Sequence, residues 1–322
     1  MKKYYIAIDI GATNTKFGLL KMPGRIVTKK TIKTTDYKNP QEFSLISRNI
    51  IYSFLKDRKI TKNSVVGIGI GAPGPIDNQK GLVHYFVNIP GWKEVPIRRM
   101  LMKKVKLPVF IDNDVNVMTL GEYKFGAGKG SKDIVGITLG SGVGGGLILN
   151  GKLFYGANMA AGEIGHMPIN VNGPACPCGG HACLEAYVGN KRIASRAKSE
   201  MQGKKTLIKS IMREKNSRLS PKIIYEAAKR NDKIAKKILH DTGVYIGVGL
   251  TGIVNLLNPE KIVIGGGVSN AGRFIFKAIE KTVKNRAMKI HAKTVKIVKA
   301  KLGEDAGLMG CLALVEEGLK QK

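Results

Sequence analysis

Apolar residues along the chain follow two patterns. Some form short runs that end at glycine turns, and others recur with helical spacing over longer stretches. Residues 4–20 run apolar to Asp9, break at Gly11 and alternate again up to Leu20. This pattern predicts a strand, a turn and a second strand. Residues 133–154 repeat the pattern around another glycine turn. The repeat predicts two related lobes, each with a hairpin whose turn faces a phosphate.

The same two patterns predict the remaining helices and strands. Apolar residues between 40 and 58 fall on one face of a helix. Further helices are predicted near 183–200, 221–230, 232–257 and 304–318, and strands near 26–34, 65–75, 109–111 and 261–264. Residues 204–220 are polar and are predicted to be irregular. We expect an α/β fold in which the last helix packs on the first lobe.

Length and charge narrow the class of protein. The chain has 322 residues, which suits two lobes better than one core. Its net charge is +31, and such a surface attracts nucleic acid. The lysines are nevertheless spread along the chain and are densest in amphipathic stretches at 198–237 and 277–301. No basic arm or zinc-finger helix is apparent. We therefore favour a solvated basic surface and expect no nucleic-acid partner.

The beginning of the chain and an uncharged, glycine-rich segment indicate where in the cell the protein is expected. The first apolar run meets Asp9 directly, unlike a secretory signal. Residues 134–151 carry no charge, but seven of them are glycine, so they are predicted to form a hairpin rather than a membrane span. We expect a cytoplasmic protein without a membrane partner.

Three of the four cysteines form a cluster with a histidine. Cys176, Cys178 and Cys183 lie within eight residues, and His166 precedes them by ten. Three thiolates and one imidazole complete a tetrahedral zinc site with no position left for water, which predicts a structural ion. A disulfide or free thiols are the alternatives, and clustered cysteines with histidine in an intracellular chain favour the metal.

Two glutamates flank the predicted zinc ligands. Glu163 precedes His166 by three residues, and Glu185 follows Cys183 by two. If the metal binds one imidazole nitrogen, the other is free to hydrogen-bond a ligand with its tautomer set. We therefore predict that Glu163, His166 and Glu185 hold a polyol.

The first glycine turn has the composition of a phosphate site. Gly11, Ala12 and Thr13 suit a turn whose backbone N–H groups face an anion. Asp9, at the end of the preceding strand, is a suitable ligand for hydrated Mg²⁺. A plain hairpin is the alternative. The second turn also matches G-x-G-x-x-G, but a strand follows it, so we do not read a dinucleotide site there.

Carboxylates and amides cluster where a strand meets a helix. Asp112, Asn113, Asp114 and Asn116 follow the strand at 109–111. Such groups often lie at the mouth of an α/β cleft, although Asp114 is also suited to capping the helix. 

Two further loops are candidates for the same cleft. Trp92, the only tryptophan, follows Asn88 in a Pro/Gly loop and is predicted either to line a binding cleft or to lie in the core. Gly265, Gly266 and Gly267 end a buried strand, where a flat ring could lie against the backbone.

These motifs together resemble the ROK family of sugar kinases, within the actin-like, hexokinase-type ATPases. The matches, in family order and over nearly the whole chain, are DIGATNTKFG at 9–18, NIPGW at 88–92, DNDVN at 112–116, TLGSGVGGG at 138–146, GEIGH at 162–166, CPCGGHACLE at 176–185 and IGGGV at 264–268. The chain departs at Ala12 and Ala182, where glycine is usual, and at Asp112, where glutamate is usual.

The resemblance implies a ribonuclease H-like, two-lobed α/β ATPase fold with an interlobe cleft. The smaller lobe is expected to comprise 1–113 and 303–322, and the larger 114–302. Asp114 would be the catalytic base, and sugar ligands would be Asn88, Asn113, Glu163, His166, Glu185 and Gly74. ATP and Mg²⁺ would be bound by Asp9, Gly11, Ala12, Thr13, Asn14, Lys16, Thr138, Gly140, Ser141, Gly142, Gly144, Gly265, Gly266 and Gly267.

The resemblance also implies an activity. The motifs are most similar to those of the family's glucokinases, so we expect phosphorylation of the 6-hydroxyl of glucose by MgATP. N-acetylglucosamine, N-acetylmannosamine, mannose and fructose are alternative substrates, and polyphosphate is an alternative donor. A homodimer is a family expectation. Repressors of the family carry a DNA-binding extension before the first hairpin, and this chain starts at that hairpin, so a sugar-responsive regulator is a remote alternative.

Overall fold

The computed structural model describes residues 3–86 and 91–320. Its strands are β1 Tyr4–Ile10, β2 Asn14–Lys21, β3 Arg25–Lys33, β4 Val65–Ala72, β5 Ile76–Asp77, β6 Leu82–Tyr85, β7 Lys93–Val95, β8 Val109–Asn113, β9 Ile134–Leu139, β10 Val143–Leu149, β11 Lys152–Leu153, β12 Lys261–Gly265 and β13 Lys296–Lys299. Its α-helices are α1 Pro40–Asp57, α2 Ile97–Val105, α3 Asp114–Phe125, α4 Glu185–Val188, α5 Asn190–Glu200, α6 Leu207–Glu214, α7 Pro221–Lys229, α8 Lys233–Leu257, α9 Arg273–Arg286, α10 Lys289–Thr294 and α11 Ala306–Lys320.

Two five-stranded sheets have the same plan. The first has the order β3-β2-β1-β4-β8 and the second β11-β10-β9-β12-β13. In the first, β1, β2 and β3 are antiparallel neighbours, and β4 runs parallel to both β1 and β8. In the second, β12 runs parallel to β9 and β13. The predicted repeat is therefore confirmed in the element plan, a glycine-turn hairpin continued by parallel strands.

Contacts divide the chain into two compact units. The first comprises Met1–Gly130, Gly146–Ala161 and Lys301–Lys322, and the second comprises Ser131–Gly145 and Gly162–Ala300. The expected small lobe ended at residue 113, whereas α3 lies in the first unit here because it packs on α11. 

The last helix is part of the first unit, as expected. It packs on α3, β1 and β4. Gly121 of α3 and Gly310 of α11 allow the two helices to cross closely, because a Cβ on either residue would overlap backbone of the other helix. Gly69 of β4 faces Cys311 in the same way. The sequence showed these glycines but not which surfaces they join.

Two helix predictions were incomplete. The predicted helix at 183–200 is broken at Gly189 into α4 and α5. The segment at 204–220, predicted to be irregular, contains α6, which begins where the Thr206 side chain accepts from Ile208 N. Ile208 and Ile211 are buried and sit three residues apart, so a one-turn apolar face was hidden among lysines.

The tryptophan is a core residue. Trp92 is 2% exposed and stacks on Phe86 with ring centroids 4.4 Å apart. Phe43 and Tyr37 pack around it at larger angles. The core alternative for Trp92 is therefore correct.

None of the helices within residues 3–86 and 91–320 combines the length and the apolar character that a membrane span requires.

Candidate functional site

Three aspartates, Asp9, Asp112 and Asp114, lie where the strands of the first sheet end. Asp9 lies opposite Gly71 of β4, and Gly71 lies opposite Asp112 of β8, so the three strand ends are in register. Asp114 follows β8 and begins α3. Burial raises the pKa of the Asp114 carboxyl to about 7, and the negative charge of Asp9 adds to the shift.

The shifted carboxyl has the properties of a general base. A base works best when its pKa lies near the working pH, because it is then often ionised yet still takes a proton readily. Asp114 is half-buried and accepts a hydrogen bond from Val115 N at 2.9 Å. Capping was the alternative for Asp114, but the cap of α3 is Asn113, whose side chain accepts from Val115 N and Asn116 N.

Asp9 lies against the start of α11. A Cβ on Gly307 would overlap the Asp9 carboxyl, so the helix begins close to this carboxylate because residue 307 is glycine. Burial raises the pKa of Asp9, while the nearby charge of Lys16 lowers it. The Lys16 Nζ donates to Glu304 O at 2.6 Å. A carboxylate placed in this way suits a hydrated Mg²⁺ ion, a hard cation that prefers oxygen ligands.

The first glycine turn is exposed at its tip. Ala12, Thr13 and Asn14 are exposed, and Gly11 N donates to Asn14 O at 3.0 Å. Thr34 holds the turn from below, since its hydroxyl donates to Gly11 O at 2.7 Å. The tip therefore presents backbone to solvent on a fixed base, which fits a phosphate-binding turn.

The cysteines and histidine converge as predicted. The ligand atoms of His166, Cys176, Cys178 and Cys183 all lie within 4.8 Å of one another. The Sγ atoms of Cys178 and Cys183 are 3.7 Å apart, and His166 Nδ1 is 3.7 Å from Cys176 Sγ. A tetrahedral ion with bonds of about 2.3 Å needs edges of about 3.8 Å, whereas a disulfide needs about 2 Å. The donor set therefore fits zinc.

The other imidazole nitrogen points away from the thiols. His166 Nε2 lies 3.8 Å from Glu163 Oε2, and the Glu163 side chain is 67% exposed. A zinc ion on Nδ1 would therefore leave Nε2–H as a donor beside a carboxylate acceptor. This pair has the chemistry needed to bind adjacent hydroxyl groups.

The Glu185 carboxylate makes contacts that the sequence did not reveal. Its Oε2 accepts from Val143 N at 2.8 Å, and a Cβ on Gly142 would overlap the same carboxyl. The second glycine turn is thus hydrogen-bonded to the residue that follows the cysteine cluster and begins α4. Gly140 N donates to Gly142 O at 2.9 Å within the turn, which also contains Ser141.

The predicted adenosine glycines lie beside that turn. Gly265 is paired with Thr138 across β12 and β9. Gly266 has φ of +82°, and a Cβ there would overlap the backbone of Leu139. Gly267 faces open space. The second unit therefore brings both predicted nucleotide segments to the same ends of adjacent parallel strands. Gly144 lies in β10, just past the turn.

Two predicted sugar residues support their neighbours. Asn113 Nδ2 donates to Gly74 O at 3.1 Å. Gly74 has φ of +85°, a conformation that favours glycine. Asn88 lies outside the described residues. Sequence reasoning missed Asn78 and Tyr155, which both donate to Asp112. Neither has a local pattern that could have identified it.

A model of a known protein family matches nearly the whole chain. The model described as the ROK family matches residues 5–318. The chain belongs to the ROK family. It is 38% identical over 320 residues to a glucokinase of Halalkalibacterium halodurans, covering 98% of this chain and 96% of that one. It is 30% identical to a xylose repressor of Caldicellulosiruptor bescii, covering 96% of this chain and 77% of the repressor.

Solved structures agree with the ROK assignment. A ROK family glucokinase from Streptomyces griseus in complex with glucose and AMPPNP has a TM-score of 0.80 and 29% identity, covering 98% of this chain and 100% of that one. The predicted family and the actin-like, hexokinase-type α/β fold are thereby confirmed.

Proposed function

We propose that this ROK protein transfers the γ-phosphoryl group of ATP to a hexose, with glucose as the preferred acceptor and glucose 6-phosphate as the product. The enzyme class, an ATP-dependent sugar kinase, is confirmed by relatives of that kind over nearly the whole chain. The observation that carries the proposal is the Asp114 carboxyl with its pKa of about 7 beside Asp9.

Asp114 supplies the proton acceptor. The sugar hydroxyl oxygen forms a bond to the γ-phosphorus, the bond from that phosphorus to the ADP oxygen breaks, and the hydroxyl proton moves to the Asp114 carboxylate. Transfer of this kind depends chiefly on positioning and on electrostatic stabilisation. A positioned base contributes roughly 10²–10⁴ in rate.

The other residues bind and orient. Glu163 accepts from sugar hydroxyls while His166 Nε2 donates, and Glu185 keeps the second turn in place through Val143 N. The backbone of the glycine turns faces the phosphates, where N–H groups stabilise negative charge. Mg²⁺, when bound, offsets the charge of the phosphate oxygens, and Asp9 would hold it. Zinc on the cysteine cluster has a structural role in this proposal, since its four ligands leave no open position.

The test is a coupled assay of ADP release with glucose, N-acetylglucosamine, N-acetylmannosamine, mannose and fructose, each supplied separately with MgATP. We expect glucose to have the highest kcat/KM. Asp114→Asn should lower kcat about 10²–10⁴-fold, and Asp57→Asn, an exposed aspartate at the end of α1, is the matched control. Turnover of another sugar alone would contradict the choice of glucose, and near-normal turnover by Asp114→Asn would contradict the base.

A sugar-responsive regulator is the second candidate. The similarity to a xylose repressor and the net charge of +31 favour it. Binding to a defined DNA operator that weakens steeply with salt, without turnover of any of the five sugars, would support this function over the kinase.

A further inference from the structure

Asp112 is a buried carboxylate with four hydrogen-bond donors. Its side chain is 2% exposed. Oδ1 accepts from Asn113 N at 2.7 Å and from Asn116 Nδ2 at 3.0 Å, and Oδ2 accepts from Tyr155 OH at 2.7 Å and from Asn78 Nδ2 at 3.2 Å. Two oxygens offer about four acceptor sites, so these donors use the whole carboxylate. Asp112 therefore has no capacity left for a ligand.

The donors come from separate parts of the first unit. Asn78 lies in the turn between β5 and β6, and Tyr155 follows β11. Asn116 lies in the first turn of α3. The turn with Asn78 is itself held by Arg98, whose guanidinium donates to the carbonyls of Asn78 and Gln79. Asp112 thus joins segments that are distant in sequence to the end of β8.

What these bonds hold is the start of α3. Asn113 N is bound to Asp112, while the Asn113 side chain caps the helix and donates to Gly74 O. Asn116, one turn further on, is bound to the same Asp112 carboxylate. Asp114 lies between these two anchored residues. Its backbone position is therefore set by bonds on both sides.

We propose that Asp112 is a positioning residue that aims the Asp114 carboxylate, and that Tyr155 acts on the reaction through Asp112. The inference rests on the proposed function. Tyr155 donates its only hydroxyl hydrogen to a buried carboxylate, so it has no hydrogen left to donate to a sugar. A displacement of about 1 Å at the reacting group is enough to cost about 10²-fold in rate.

Two substitutions separate the roles. In Asp112→Asn one acceptor oxygen becomes an NH₂ group, which must face donors, so the network is broken while the volume is kept. In Tyr155→Phe one donor is removed and three remain. If Tyr155 acts only through Asp112, its hydroxyl has a smaller effect once a single acceptor oxygen remains for four donors. The two changes are therefore expected to be non-additive.

The experiment is a double-mutant cycle on kcat with the best sugar. We expect Asp112→Asn to lower kcat by about 10²-fold, Tyr155→Phe by about 5–10-fold, and the double variant by clearly less than the product of the two losses. KM for ATP should stay within about twofold throughout, because neither substitution removes a predicted contact with ATP. Tyr52→Phe, an exposed tyrosine of α1, is the matched control and should keep full activity. Multiplicative losses in the cycle, or Tyr155→Phe with normal kcat, would overturn the proposal.

A second readout does not depend on turnover. Backbone hydrogen exchange over residues 110–117 should be faster in Asp112→Asn, because the bonds to Asn113 N and the first turn of α3 are weakened, while exchange over α8 stays unchanged. If the wild-type protein phosphorylates no sugar, the proposed function fails and this measurement decides the positioning claim. Unchanged exchange over 110–117 would then overturn it.

Discussion

Replacing Asp114 by asparagine should make the protein more stable than the wild type, although it removes the proposed base. The difference in free energy of unfolding should grow as the pH rises. The pKa of Asp114 is raised from 3.8 to about 7, so the folded state opposes ionisation of this group. Below about pH 4 the carboxyl is protonated in both states, and there is no penalty. As pH rises toward 7, only the unfolded chain releases the proton, and the free energy of unfolding of the wild type falls.

The size of the effect follows from the shift. About three pKa units at about 1.4 kcal/mol each give an upper bound of ~4 kcal/mol, reached above about pH 7. Partial solvent exposure of Asp114 reduces this figure. Between about pH 5.5 and 8 the advantage of Asp114→Asn over the wild type should grow by at most ~2 kcal/mol.

Trp92 makes the measurement simple. It is the only tryptophan, it is buried, and it lies in the same compact unit as Asp114. Urea unfolding followed by tryptophan fluorescence, without Mg²⁺ or nucleotide, would give the free energy at each pH. Asp57→Asn, on the exposed end of α1, should show no such growth.

The decisive quantity is the change in the stability difference with pH. Titration of groups that do not interact with Asp114 is common to the wild type and the variant, so it cancels to first order in the difference. Asp9 is the exception, because its charge is coupled to that of Asp114. A difference between wild type and Asp114→Asn that is the same at about pH 5.5 and 8 would refute a raised pKa for Asp114 and remove the main support for its role as base.

Three other changes test the glycine turn after β12, the cysteine cluster and a buried carboxylate of α3. Gly266→Ala should lower the free energy of unfolding by about 1–3 kcal/mol, because of its φ of +82° and the overlap with Leu139, whereas Gly267→Ala should cost much less; equal costs in thermal unfolding would contradict the geometry. We expect metal analysis to find stoichiometric zinc in the wild type and in Cys311→Ala, which lies outside the cluster, but not in Cys183→Ser; no zinc in the wild type would exclude the metal site. Glu122→Gln should destabilise by about 1–3 kcal/mol in urea unfolding, because the buried carboxylate accepts three backbone N–H bonds and an amide offers only one oxygen; a neutral result would mean that these bonds are dispensable.

The sequence alone determined the features that depend on neighbouring residues. The glycine hairpins, the helix from 40 and the long helix near 232–257 follow from local periodicity, and the structure contains them. The four predicted zinc ligands lie within eighteen residues of one another along the chain, so their types and spacing were enough to predict a cluster whose ligand atoms the structure brings within 4.8 Å. Such features need no knowledge of how distant segments pack.

Only the tertiary structure decided the features that depend on distant segments. Tyr155 and Asn78 reach Asp112 from 43 and 34 residues away, and no local pattern marks them. The sequence left two positions for Trp92, a binding cleft or the core. The packing of Phe86 and Tyr37 against its ring places it in the core. The pKa of Asp114 follows from burial and from the charge of Asp9, which lies on β1, more than 100 residues earlier in the chain. Desolvation and charge act through space, so sequence separation could not predict their strength.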